Sequence, residues 1–178
     1  MNSVVMMGVA GCGKSSAGAA VAQLLGLPLV EGDEFHPPSN TEKMRQGIAL
    51  TDVDRSEWLH ALGQELQRHP TGAVLTCSAL KKSYRDGLRS AAPGLRFVFL
   101  DIPPATAHAR VTARAGAHLF PPSLVNSQFA TLESPVQEPL VLHLDATLPL
   151  ATLSAQAAQW LQAGVLPRTI PSPRSTPL

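Results

Sequence analysis

The chain has 178 residues, 44% of them hydrophobic and 15% charged, with a formal net charge of +1. That supports one domain with a substantial core and is too little for two ordinary ones, and the weak charge gives no basic field for a nucleic-acid partner. Two cysteines outside any metal or redox spacing, no apolar run near the ~18 residues of a membrane span and no export-like leader argue for a soluble cytoplasmic protein without a structural disulfide.

Five short apolar runs lack clean alternation, as strands buried on both faces do: Ser3 to Met7, Pro28 to Val30, Ala73 to Cys77, Leu95 to Leu100 and Leu140 to Leu144. Helices are expected between and after them. Ser15 to Leu25 follows the first run; Thr41 to Gln46 and Asp54 to Arg68 follow the second, the latter with Trp58, Leu59, Leu62 and Leu66 on one helical face. Leu80 to Ser90, Ala105 to Arg114, Pro122 to Leu132 and Leu150 to Ala163 complete the set. Alternating strands and helices predict a three-layer α/β domain over residues 1–164 with a parallel sheet and right-handed crossovers. Residues 165–178 carry four prolines among Ser, Thr and Arg and read as an extended tail.

The first strand run leads into Gly8, Val9, Ala10, Gly11, Cys12, Gly13, Lys14 and Ser15, a GxxxxGKS phosphate-binding loop in its required place between a strand and a helix. Its backbone N–H groups and the following helix N-terminus suit phosphate oxygens. Lys14 reaches the β and γ phosphates and the Ser15 hydroxyl suits Mg²⁺, with Ser16 completing the expected contacts to ATP. The second strand run ends at Glu31-Gly32-Asp33, and ligands of open α/β sheets bind at such carboxyl ends. Asp33 is therefore the candidate base that accepts or orients the proton of an attacking hydroxyl.

Further along, His36, Lys43 and Arg55 offer an imidazole, an ammonium and a guanidinium, a mixture suited to a small polyhydroxylated acid. The third strand leads into the densest polar cluster, Cys77 to Asp86. If a helix starts near Ser78, Lys81 and Arg85 share a face and Lys82 points elsewhere, so the first two are the substrate candidates. Arg110 and Arg114, four apart near the end of a helix, are placed to clamp phosphates from a lid, with Arg114 neutralising transferred charge. The turn Asp145 to Pro149 is a candidate wall for the adenine.

The stretches GVAGCGKS (8–15), EGDEFHPPSNTEKM (31–44), LTDVDRSEWL (50–59), CSALKKSYRDGLR (77–89) and SQFATLESP (127–135) resemble those of bacterial gluconokinases, small P-loop kinases related to shikimate and adenylate kinases. The resemblance covers residues 4–163 and implies transfer of the ATP γ-phosphate to the terminal hydroxyl of D-gluconate. It also implies a nucleoside-monophosphate-kinase-like fold with strand order 2-3-1-4-5, a lid over about 114–132, and commonly a homodimer. Two departures stand out. The family lid runs Arg, one residue, Gly, His, Phe, whereas Arg114-Ala115-Gly116 is followed here by Ala117, with the histidine displaced to His118; and Glu31 stands where the family has Asp. The alternatives are a kinase of another hydroxy acid such as shikimate, and a nucleotide-dependent binding module. A guanine switch protein is disfavoured, because no NKxD motif occurs.

Overall fold

The computed structural model describes residues 3–114 and 121–164. His118, part of the expected lid and the proline-rich tail lie outside the described residues.

Five strands, β1 (Val4–Met7), β2 (Leu29–Glu31), β3 (Val74–Thr76), β4 (Arg96–Asp101) and β5 (Val141–Asp145), form one parallel sheet in the order β2-β3-β1-β4-β5. The helices are α1 (Lys14–Leu25), α2 (Pro38–Arg45), α3 (Asp52–Gln67), α4 (Lys82–Ala91), α5 (Pro104–Ala113), α6 (Val125–Thr131) and α7 (Leu150–Ala163). Each residue of central β1 is buried because alternate side chains feed two cores. Val4 and Met6 join Val21 of α1, Ala107 of α5 and Ala157 of α7; Val5 and Met7 join Trp58 and Leu62 of α3 and Leu88 of α4. The result is the expected three-layer domain. β1 lies between β3 and β4, so the strand order reverses beside its carboxyl end and opens a crevice there.

Three helix starts, those of α2, α3 and α4, differ from the sequence expectation by two or three residues, each for a local reason. α2 begins at Pro38 rather than Thr41, because proline in a first helical turn forfeits no intrahelical hydrogen bond. α3 begins at Asp52 behind a capping box, in which the Thr51 hydroxyl accepts from the Asp54 N–H and the Asp54 carboxylate accepts from the Thr51 N–H. α4 begins only at Lys82: Ala79 has a left-handed φ of 46° and Lys81 is extended, so the chain enters this helix through a turn. The expected helix from Pro122 to Leu132 divides into a 3₁₀ turn (Pro122–Leu124) and α6.

Candidate active site

The loop after β1 is pressed against its neighbours. A Cβ on Gly8, which has φ 142°, would lie 2.7 Å from the Leu100 carbonyl oxygen, and one on Gly11, with φ 82°, 2.8 Å from that of Ala107. Gly13 is different: at φ 95° it starts α1 with open space before it and no side-chain cap on the helix N-terminus. That bare cradle of N–H groups suits an anion. Lys14 Nζ donates to the Val9 carbonyl at 3.0 Å, folding back across the loop, while Val9 and Cys12 are buried beneath it.

The end of β2 approaches the loop through Glu31. Its Oε2 accepts from the Ser15 hydroxyl at 3.0 Å and from the Thr76 hydroxyl at 2.6 Å, and Thr76 Oγ1 in turn accepts from the Gly32 N–H at 3.2 Å. A Cβ on Gly32 would sit 2.1 Å from the Thr76 carbonyl oxygen, so only glycine lets β2 close on β3 here. The Gly32 carbonyl accepts from Trp58 Nε1 at 2.7 Å. These contacts fix the backbone of the 3₁₀ turn Gly32–Phe35, in which the Asp33 side chain is 79% exposed.

A cavity of about 500 Å³ joins these parts. Gly11, Gly13, Lys14, Ser15, Ser16 and Ala10 line one side, with Arg114 near the end of α5; Asp33, His36, Arg55 and Trp58 line the other. Met44 of α2, Leu50 and Leu124 pack together as a small apolar cluster and also line it. The His36 ring stacks on Trp58 at 4.1 Å, and burial pushes its pKa down to about 4 against the opposing pull of Asp33. Asn40 Nδ2 lies 3.4 Å from Nδ1, which must then accept, so the neutral ring carries its proton on Nε2, 3.9 Å from an Asp33 oxygen. Arg55 is 9% exposed, donates to the Leu50 carbonyl and to the Tyr84 hydroxyl, and lies over the Tyr84 ring. A buried cation that borders a cavity and forms no salt bridge among the described residues suits a carboxylate.

Other sequence candidates lie elsewhere. Arg85 is fully buried: it donates to Glu138, to the Ala79, Leu80 and Glu133 carbonyls, and offers nothing to a substrate. The expected face shared with Lys81 does not exist, because Lys81 precedes the helix. Lys81 instead donates to both carboxylate oxygens of Asp52 at 2.8 Å, with Tyr84 a further donor to Asp52. Lys43 pairs with Asp54 at 2.7 Å, and this hydrogen bond, with those from Thr51, brings the Asp54 pKa down to about 2. Neither lysine lines the cavity. Arg110 braces the loop from behind, donating to the Gly11 and Ala146 carbonyls. Sequence reasoning passed over Glu31 as an anchor for Ser15, and over Ser78, Ser127 and Gln128 in the cavity wall. The one signal for the last two was their place in the SQFATLESP stretch.

A family model described as an AAA domain matches residues 4–139. The thermosensitive gluconokinase of Escherichia coli K12 is 40% identical over 162 residues, which are 88% of this chain and 86% of that protein. The gluconokinase of Gluconobacter oxydans 621H is 44% identical over 79% of this chain and 80% of its own length. Among solved structures, a gluconokinase from Sinorhizobium meliloti 1021 superposes with a TM-score of 0.80 at 44% identity, covering 93% of this chain and 98% of that one. With its phosphate loop, strand order and cavity, the chain thus belongs to the gluconokinase family of P-loop kinases.

Proposed function

We propose that the chain is an ATP-dependent gluconokinase, forming 6-phospho-D-gluconate and ADP from D-gluconate and ATP. One observation carries the reading: a single cavity joins the phosphate-loop residues Lys14 and Ser15 to Asp33, His36 and Arg55. Asp33 accepts the proton of the 6-hydroxyl as its oxygen bonds to the γ-phosphorus, while the bond from that phosphorus to the β-phosphate bridging oxygen breaks and its electrons leave with ADP. Lys14 and Arg114 offset charge on the transferred group. Arg55 takes the gluconate carboxylate, and the Nε2–H of neutral His36 is a donor for a sugar hydroxyl.

The oxygen set fits Mg²⁺. The Ser15 hydroxyl donates a hydrogen bond to Glu31 and keeps its lone pairs for a hard cation, with the Asp33 carboxylate in the same cavity. When bound, the ion neutralises phosphate charge. The kinase domain spans residues 1–164, with a lid over about 114–132 whose α6 end is a fixed base, seated on the core through Val125 and Phe129. Coupled ADP release measured side by side with gluconate, shikimate and AMP tests the assignment. Gluconate alone should sustain turnover; turnover confined to shikimate or AMP, or an ATPase rate no sugar acid raises, overturns it.

A further inference from the structure

The phosphate loop is not bare at every N–H. The Ala10 N–H donates to Gln128 Oε1 at 2.6 Å, across 118 residues of chain. Because the backbone group can only donate, the atom that receives it must be the amide oxygen, which settles the orientation of this carboxamide. Nε2 then sits on the opposite branch, and no partner for it occurs among the described residues, though Gln128 lines the cavity. Two N–H donors are thus left uncommitted beside the loop. The limb concerned is identified by Lys14, whose ammonium rests on the carbonyl of the adjacent Val9. A P-loop lysine serves the β and γ phosphates, so the Val9-Ala10 limb lies on the β/γ side of the cradle.

Gln128 is held there by its surroundings. Its helix α6 buries Val125 completely, packs Phe129 against the same core and is tied to α5 by a 2.7 Å hydrogen bond between Asn126 and His108. A carboxamide anchored by its oxygen, on an anchored helix, presents its nitrogen with little freedom left to lose.

We propose that Gln128 reads the terminal phosphate: Oε1 clamps the Ala10 limb and Nε2 donates to a γ-phosphoryl oxygen of bound ATP. This rests on the phosphoryl-transfer reading above and adds to it a residue that separates triphosphate from diphosphate. Gln128→Glu keeps an acceptor for Ala10 and replaces the donating amide by an oxygen that repels the γ-phosphate. Titration calorimetry of the intact protein with ADP and with a non-hydrolysable ATP analogue should show ADP affinity held within about twofold and analogue affinity falling by roughly tenfold or more. In the coupled assay kcat should drop by about a hundredfold with the gluconate KM little changed.

Gln128→Met, of similar length but with neither polar atom, guards against a charge effect: it should lower analogue affinity more than ADP affinity. Equal losses for both nucleotides in the two variants, or no loss in either, would mean that Gln128 serves only to satisfy the Ala10 N–H, and the proposal falls. If the unaltered protein binds neither nucleotide, the phosphoryl-transfer reading falls with it; if that protein transfers phosphate and the variants match it, only the role of Gln128 is lost.

Discussion

Two groups of cations, one lining the cavity and one in and at the start of α4, have opposite fates. Arg55 borders the cavity bonded to a carbonyl and a tyrosine hydroxyl but in no salt bridge among the described residues, and Lys14 spends its ammonium on another carbonyl. On α4, Arg85 is saturated by Glu138 and three carbonyls, and Arg89 donates to both Glu138 and Asp86. Burial raises the Glu138 pKa, yet the two guanidiniums outweigh it and hold the carboxyl below its ordinary value. The same residue type is thus a structural tie where a carboxylate folds onto it and a ligand group where none does. Availability is decided by the placement of acids, not by the density of bases.

The largest effect should come from the acid left exposed in the cavity. Asp33→Asn should lower kcat by about 10²- to 10⁴-fold while nucleotide affinity is preserved, read by steady-state kinetics and calorimetry. Near-normal turnover would remove Asp33 from the mechanism. On the other side, Arg85→Met removes the donor to three backbone carbonyls and leaves Glu138 with Arg89 alone, and should cost about 3–5 kcal/mol in denaturant unfolding. Adding Glu138→Leu should recover only part of that loss, because the three carbonyls stay without their donor and Arg89 keeps Asp86 as its one acid, and the double variant should retain the gluconate KM. A KM that rises with the stability partly restored would return Arg85 to the substrate.

The sheet, the phosphate loop and the position of Asp33 were legible because each is local: an apolar run, a contiguous motif, a carboxylate two residues past a strand. What escaped was pairwise and distant. Glu31 meets Ser15 across 16 residues, Arg85 meets Glu138 across 53 and Ala10 meets Gln128 across 118. The start of α4 was misjudged for the same reason. Arg85 donates to the Ala79 carbonyl at 2.8 Å, bracing a left-handed alanine that local propensity does not favour. Arg85 and Arg55 look alike in sequence because their acids are supplied, or withheld, by remote segments.

A smaller effect concerns pH. His36 has a folded pKa of about 4 against an ordinary 6.5, so between these values the unfolded chain binds more protons and stability falls as pH falls. His36→Phe keeps a ring for Trp58 and should flatten this slope, by on the order of 2 kcal/mol across the window. Urea unfolding at pH 7 and pH 5 reads it; an unchanged slope would mean that another group carries the titration.

The contrast between the two cation groups is tested most directly by the gluconate KM of Arg55→Met and Lys81→Met, measured together at saturating ATP. Loss of the cavity guanidinium should raise KM by roughly thirtyfold or more, whereas loss of the Lys81 tie to Asp52 should move it by less than about threefold. The reverse order, with Lys81 dominant, would contradict the account.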